Sequence, residues 1–443
     1  MKVKFKHSYS KLIQSEKSGD QIKIGPKKKI AFVCSGGATK AGAFHLGVAL
    51  ALQEQGFRFY GGTVPPNQKA RPPSPMEISM YVGSSAGAII SSYLAAGYSL
   101  DNIFNSFLDY KPPAGDITID PKDEFPKILP RLTYPKMFKI RSKFTLEQLS
   151  QLGQLRKALM RLMFQGDWES LVQLKWLKLT GLFSTHGIEQ YMREEVLSSN
   201  QFQDYLADLF IVATQLNHSR KVVFGKYQYQ PPPHDLSCQY NNDVSISEAC
   251  AASTSLPVIF SPYGIKNSDG QLIYYIDGEI RDTLSTHVAV DGGADLVIAS
   301  YTHQPYHVFK ESESLTGFGL SAIIIQSIYL LVEQKINNHI YSKALHHDTI
   351  LAVSQYCETQ GVSVEHKTKI CELLENQLHY KMDVETIYIH PSAHDRQIFF
   401  GDHFSLSSKK MSEIVKSGFR AAIEVLKKYD FSDRTQNHAI GSV

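Results

Sequence analysis

Unbroken apolar runs, each followed by a glycine-rich turn and a segment of helical periodicity, mark the first part of the chain. The first run is residues 30–34 (IAFVC), with a helical pattern over 41–55, and the second is 78–82, with a helical pattern over 86–96. Short unbroken apolar runs are typical of strands buried on both faces of a parallel sheet. Strands that alternate with helices in this way predict an α/β fold.

The same reading predicts elements over the rest of the chain. Further strands are predicted at 208–214, 221–224, 273–276 and 386–390, and helices at 183–197, 246–257, 315–351, 368–380 and 407–429. The helical pattern over 146–177 lies in a segment with many basic and aromatic residues.

The longest apolar stretch of the chain is residues 318–332. Ser321, Gln326 and Ser327 interrupt it, and it is shorter than the roughly 20 residues that a membrane-spanning helix needs. We therefore predict a buried helix here and no transmembrane helix.

The composition is that of a globular protein, with 43% hydrophobic and 20% charged residues in a chain of 443. The formal net charge of +3 is unevenly spread, since residues 1–30 contain nine lysines against two acidic residues. No apolar run follows these lysines, so they predict a basic arm over residues 1–28 and not a cleavable signal peptide. The five cysteines are scattered and lack C-x-x-C spacing, which indicates neither a disulfide framework nor a zinc site. We expect a cytoplasmic protein without a metal ion or another cofactor.

A candidate nucleophile lies directly after the second strand. Gly83, Ser85 and Gly87 form the pattern G-x-S-x-G between the run 78–82 and the helical segment 86–96. Glycines on both sides permit a tight strand-to-helix turn that holds the serine away from the backbone. The free N–H groups of the following helix favour negative charge at the same point. This arrangement suits acyl transfer, although such a spacing also occurs in turns that only serve packing.

A second glycine turn follows the first strand. Gly36, Gly37 and Ala38 lie between a strand and a helix, where backbone N–H groups can bind an anion. The segment matches neither the P-loop nor the G-x-G-x-x-G pattern, which argues against a nucleotide phosphate. Two open interpretations are an oxyanion hole for an acyl-transfer intermediate and a turn that only lets the helix and the strand pack.

The order strand, Gly-Gly turn, helix, strand, G-x-S-x-G, helix resembles the patatin-like phospholipase family. Ala252, Ser253 and Pro257 repeat the A-S-x-x-x-P spacing of that family. The resemblance covers roughly residues 28–300. It implies a three-layer α/β/α fold with a mostly parallel central sheet and a helical insertion, and hydrolysis of carboxylic esters in lipids.

A carboxylate at a strand end can take the proton of a serine hydroxyl directly. Asp277 ends the predicted strand 273–276 and follows the A-S-x-x-x-P segment, as the family's aspartate does. Asp291 is the competing candidate because it heads a D-G-G sequence, whereas Asp277 heads D-G-E with Glu279. Residues 293–300 match the strand that follows the aspartate in the family, so we assign the base to Asp277.

The resemblance then implies a role for each site residue. Ser85 attacks the acyl carbonyl, Asp277 accepts its proton and later activates water, and N–H groups near Gly36, Gly37 and Ala38 hold the oxyanion. The chain departs from the family's glycine turn, because Ala38 replaces a third glycine and Ala41 separates Lys40 from Gly42. Glu279 is a further departure.

The expected organisation is a basic arm (1–28), a catalytic domain (29–305) with a helical insertion at about 111–180, and a mainly helical C-terminal part (306–443) packed on the same domain. The segment 110–180 holds 13 Lys and Arg against seven Asp and Glu. It is either an amphipathic cap that touches an anionic membrane or an insertion with a solvated basic face. Expected partners are an acyl lipid, a membrane surface contacted peripherally, and no nucleic acid.

Two other functions fit the sequence less well. An α/β-hydrolase with a Ser-His-Asp triad would require an essential histidine such as His287, His303 or His390. A catalytically silent lipid-binding module would retain the pocket without turnover.

Overall fold

The computed structural model describes residues 21–64, 71–108, 128–140, 181, 183–227, 237–308 and 314–431. The predicted insertion helix at 146–177 and residues 1–20 of the basic arm lie outside these ranges. The strands are β1 (Ile22–Lys23), β2 (Ile30–Cys34), β3 (Arg58–Phe59), β4 (Glu77–Ser84), β5 (Lys139–Ile140), β6 (Phe183–Ser184), β7 (Asp208–Gln215), β8 (Arg220–Gly225), β9 (Cys238–Asn241), β10 (Tyr263–Lys266), β11 (Leu272–Asp277), β12 (Leu296–Ser300), β13 (Glu385–Ile389) and β14 (Tyr429–Asp430).

The α-helices are α1 (Ala38–Glu54), α2 (Ala86–Ala95), α3 (Leu100–Leu108), α4 (Tyr134–Met137), α5 (His186–Tyr191), α6 (Ile246–Ser253), α7 (Thr286–Asp291), α8 (Gly319–Thr359), α9 (Val364–Leu378), α10 (Arg396–Phe400) and α11 (Ser408–Leu426). A π-helical turn (Met192–Val196) continues α5, and a 3₁₀ turn (Gly278–Ile280) follows β11.

The central sheet has the strand order β10-β11-β7-β4-β2-β12-β13. The four pairings from β7 through β4, β2 and β12 to β13 are parallel, whereas β10, β11 and β8 pair antiparallel at one side. This confirms the predicted α/β fold with a mostly parallel central sheet.

Both faces of this sheet are covered. Along β2, Ile30, Phe32 and Cys34 belong to one buried apolar cluster, which includes side chains of α1, α2 and α11. Ala31 and Val33 point to the opposite cluster, which includes side chains of α7 and α8. Because alternate residues of a strand face opposite sides, a strand buried on both sides must be apolar without interruption. This explains the IAFVC run.

The C-terminal part contacts the domain that carries the glycine motifs. Strand β13 extends the central sheet beside β12, and α11 packs against α1. Two glycines allow the two helices to approach closely, because a Cβ on Gly47 would lie 2.0 Å from the carbonyl oxygen of Val415, and one on Gly418 would lie 2.2 Å from that of Phe44.

The predicted helix at residues 318–332 is present from Gly319 onward, but the prediction that it is buried is wrong. The helix α8 is 41 residues long, and its first turns pack through one side only, with Ala322 and Tyr329 buried. The other side carries exposed apolar side chains: Leu320, Ile323, Ile324, Ile328, Leu330 and Leu331. A 3₁₀ turn (Leu315–Phe318) leads into α8, and together they form the one described helix that could cross a membrane by length and composition alone. Its most apolar 18-residue window has a mean hydropathy of 1.9, and 11% of that window is buried. A segment that is apolar on all sides is normally buried, but packing on the sheet uses one side of this helix.

Candidate active site

Ser85 lies on a strained turn between β4 and α2. Its φ of 53° and ψ of −123° are unusual for a residue other than glycine, and they hold the side chain away from both elements. The two flanking positions have no room for a side chain. A Cβ on Gly83 would lie 2.4 Å from the carbonyl oxygen of Gly87, and a Cβ on Gly87 would lie 2.1 Å from the carbonyl oxygen of Cys34.

The serine of the A-S-x-x-x-P segment supports this turn. The N–H of Ser85 donates to Oγ of Ser253 (2.8 Å), and that hydroxyl donates to the carbonyl oxygen of Val212 (2.6 Å). Ser253 therefore ties the turn to the neighbouring strand β7. The sequence singled out Ser253 by its spacing, and the structure shows what it contacts.

Asp277 and Ser85 lie together, because β11 pairs with the last residues of β7 and β4 pairs with the preceding ones. Asp277 is 2% exposed. Burial raises the pKa of its carboxyl group to about 6, against the opposing effect of hydrogen bonds from the Ser85 side chain and the N–H of Glu279. At neutral pH the carboxyl group is thus mostly ionised, as a base must be.

Asp291, the competing aspartate, lies at the end of α7. Its Oδ2 accepts a hydrogen bond from the hydroxyl of Tyr240 (2.6 Å), and it is not among the residues that line the cavity at Ser85.

The glycine turn lies on the other side of Ser85. The N–H of Gly36 donates to Oε1 of Glu279 (2.7 Å). Gly37 and Ala38, with φ values of 129° and 57°, line the cavity at the start of α1. The first N–H groups of a helix have no partner within the helix, so this end can bind an anion.

The sequence analysis did not predict that Glu279 lies in the site. It noted Glu279 only as the third residue of D-G-E, where the family usually has glycine. Burial and the negative charge of Asp277 raise the pKa of the Glu279 carboxyl to about 8, so it is mostly protonated at neutral pH. Two buried carboxyl groups therefore lie beside the nucleophile in different protonation states.

The side chains at the nucleophile line a cavity of about 610 Å³. Ser85, Asp277 and Glu279 lie along it, and most other lining side chains are apolar. Apolar side chains from α2, α8 and the loop before α11 contribute, among them Ile89, Ile90, Ile325, Ile328, Phe404 and Leu406. A cavity of this volume and lining suits an acyl chain.

The histidines considered for a triad have other contacts. His287 faces Asp282, with 3.6 Å between Nδ1 and Oδ2, and His390 contacts the carbonyl oxygen of Pro391. His303 lines the cavity, and its Nδ1 lies 3.9 Å from Oε2 of Glu279. Within the described ranges, no hydrogen bond joins any of these three side chains to Ser85.

The side chain of Lys40 contacts the C-terminal part of the chain. Its Nζ donates to the hydroxyl of Tyr329 (3.0 Å) and to the carbonyl oxygen of Ile398 (2.7 Å), and it contacts Nε2 of His403 (3.2 Å). Burial lowers its pKa to about 7. Lys40 thereby links α1 to the C-terminal part of the chain.

Fold and site together define an α/β protein with a serine on a strained strand-to-helix turn, an adjacent buried aspartate and an apolar cavity that the serine lines. The patatin-like phospholipase family model matches residues 32–290, more than half of the chain, and the chain belongs to that family. Membership indicates lipid acyl hydrolase activity.

Proposed function

We propose that this protein hydrolyses carboxylic ester bonds of phospholipids or related acyl lipids with Ser85 as the nucleophile and Asp277 as the base. The observation that carries the proposal is the contact between Ser85 and a buried, mostly ionised Asp277 beside an apolar cavity.

In the first step Oγ of Ser85 bonds to the acyl carbon, and its proton passes to Asp277. The π electrons of the carbonyl move to its oxygen, which the N–H groups of Gly37 and Ala38 stabilise. The N–H of Gly36, predicted as a third donor, is hydrogen-bonded to Glu279. The C–O bond to the alcohol then breaks, and the alcohol leaves with the proton from Asp277. Water attacks the acyl-serine, Asp277 takes its proton, and collapse of the second intermediate releases the fatty acid and returns the proton to Ser85.

A membrane surface is the proposed source of the lipid. The exposed apolar side of α8 continues directly into the cavity, because Ile328 is both half exposed and a lining residue. Beside it, the guanidinium of the exposed Arg396 lies 5.1 Å from the ring centre of Phe318 and 5.6 Å from that of Phe400. A cation next to an exposed apolar surface suits a phosphate head group above acyl chains.

The test is fatty-acid release from mixed phospholipid vesicles in the presence of a chelator. We expect activity in the unaltered protein and none in Ser85→Ala or Asp277→Asn. Retained activity in Asp277→Asn together with loss in His303→Ala would replace the dyad by a triad hydrolase. A protein that binds vesicles but cleaves no ester would instead be a lipid-binding module.

A further inference from the structure

Glu279 is placed at the nucleophile by the same strand end that supplies Asp277. After Asp277 the chain makes one 3₁₀ turn, and the N–H of Glu279 donates to Oδ1 of Asp277 (2.9 Å). The Glu279 side chain then reaches the glycine turn, where Oε1 accepts the N–H of Gly36 (2.7 Å). A Cβ on Gly36 would lie 2.5 Å from Cγ of Glu279 and 2.8 Å from Cβ of Ser85. The carboxyl side chain and the nucleophile therefore flank the same glycine.

The second carboxyl oxygen of Glu279 and the hydroxyl of Ser84 are both buried without a close hydrogen-bond partner in the described ranges, although the Ser84 side chain lies near enough to lower the pKa of the Glu279 carboxyl. Nδ1 of His303 lies 3.9 Å from Oε2 of Glu279, and it too has no hydrogen-bond partner among the described residues. A buried polar atom without a hydrogen-bond partner is energetically unfavourable. Since Glu279 and His303 line the cavity, a ligand there can supply the missing partner.

The groups facing Glu279 favour its protonated form. Burial is the largest effect on the pKa, and the negative charges of Asp277 and Asp282 add to it, while hydrogen bonds from the N–H of Gly36 and the Ser84 side chain act in the opposite direction. Among the described residues, Asp277 ends β11 and Asp282 follows the next turn, whereas Gly36 and Ser84 come from the ends of β2 and β4.

The histidine side of the site does not supply a positive charge. Burial lowers the pKa of His303 to about 3, and the charges of Lys40 and His403 lower it further in the same direction. The imidazole is therefore neutral at pH 7, and it offers Glu279 no ion pair.

We propose that Glu279 is a further catalytic residue of the reaction proposed above, whose neutral carboxyl group donates a hydrogen bond from Oε2 to the developing oxyanion while Oε1 stays on the N–H of Gly36. The inference rests on the proposed function. When Ser85 bonds to the acyl carbon and Asp277 takes its proton, the carbonyl oxygen becomes negative and accepts the O–H of Glu279. The proton stays on Glu279, so this group is unchanged after each turnover. An ionised Glu279 would repel the oxyanion.

The test compares the unaltered protein with Glu279→Gln, Glu279→Ala and Glu279→Gly. Two readouts are used: hydrolysis of a soluble p-nitrophenyl ester, and the rate at which a fluorophosphonate bonds to Ser85 with loss of fluoride. Glu279→Gln keeps an uncharged donor, whereas Glu279→Ala and Glu279→Gly keep none. We expect kcat to fall about 100-fold in Glu279→Ala and Glu279→Gly, the loss typical of one oxyanion donor, and to stay close to that of the unaltered protein in Glu279→Gln. The unaltered protein should lose activity above about pH 8, and Glu279→Gln should not.

Two results would overturn the proposal. If kcat of Glu279→Ala or Glu279→Gly matches or exceeds that of the unaltered protein, the carboxyl group obstructs the site. If kcat of Glu279→Gln falls as far as that of Glu279→Ala, or if Glu279→Gln still loses activity at alkaline pH, the reaction does not use an uncharged donor at this position. Thermal unfolding of each variant shows that it is folded. If the fluorophosphonate labels Ser85 but no lipid is cleaved, the proposed lipid function fails, while the labelling rates still decide the role of Glu279.

Discussion

The backbone N–H of Gly36 donates a 2.7 Å hydrogen bond to Oε1 of Glu279, a residue 243 positions away in the sequence. The contact joins the glycine turn to the turn that carries Asp277. Glu279 lines the same apolar cavity as Ser85 and Asp277, so two buried carboxyl groups and one serine hydroxyl meet there.

Replacing the nucleophile should abolish turnover. Ser85→Ala removes the only hydroxyl assigned to bond with the acyl carbon, so ester hydrolysis should fall about a thousandfold or more. The measurement is fatty-acid release at saturating lipid. Ser79→Ala is the matched control, because Ser79 is a buried serine of β4, the strand that leads into Ser85, but is not among the residues lining the cavity. Comparable loss in both variants would show that the serine effect is structural.

Replacing the base should be almost as severe. Asp277→Asn keeps the shape but cannot accept the serine proton, and we expect kcat to fall about a thousandfold. Asp291→Asn should change kcat by less than about twofold, since Asp291 bonds to Tyr240 outside the cavity. If Asp291→Asn is the inactive variant, the assignment of the base is reversed.

The buried carboxyl groups should make stability depend on pH. The pKa values of Asp277 and Glu279 are raised above those of the unfolded chain, to about 6 and about 8, so the native state binds protons more tightly. Their stabilising contribution is therefore complete below about pH 4 and is lost as the pH rises through the folded values.

Urea unfolding at pH 5, 7 and 9 measures this. Between pH 7 and 9 the free energy of unfolding should fall by less in Glu279→Gln than in the unaltered protein, because Gln has no proton to lose. An equal decline in both proteins would contradict the buried protonation of Glu279.

Charges on the exposed side of α8 should weaken membrane binding. Leu320 and Leu331 are 72% and 62% exposed, and transferring each to a lipid phase contributes about 1.5–3 kcal/mol. The double variant Leu320→Glu/Leu331→Glu should therefore lose at least about tenfold in vesicle affinity. Co-sedimentation with anionic phospholipid vesicles, in a Ser85→Ala background, measures binding without turnover.

The matched control for this experiment is Leu373→Glu, an exposed leucine of α9 with 62% exposure. Hydrolysis of a soluble ester should be unchanged in the double variant that keeps Ser85. Unchanged vesicle binding in the double variant would show that the exposed side of α8 does not bind the membrane. Conversion of a dimer to a monomer by the two glutamates would show that a second copy of the chain covers this side of α8.

Because α1 and α11 pack closely, replacing Gly418 by a larger residue should destabilise the protein. Gly418→Ala would place a Cβ 2.2 Å from the carbonyl oxygen of Phe44, so α11 must move away from α1. We expect a loss of about 1–3 kcal/mol in unfolding free energy. Gly317→Ala is the control, because its Cβ would have nothing within 4 Å. A similar midpoint for both variants in urea unfolding would contradict this packing.

Local patterns determined much of the fold and part of the candidate site. The runs at β2 and β4 predicted buried parallel strands, because a strand covered on both faces has no polar positions. The spacing of Gly83, Ser85 and Gly87 predicted the strained turn, since that conformation depends on residues adjacent in sequence.

Only the tertiary structure decided how distant segments meet. It placed the carboxyl group of Glu279 on the N–H of Gly36 and the ammonium group of Lys40 on the hydroxyl of Tyr329. It also left one side of α8 exposed, although its apolar residues predicted burial. Side-chain periodicity reports which residues avoid water, but the partner that covers them is set by packing between elements far apart in the chain.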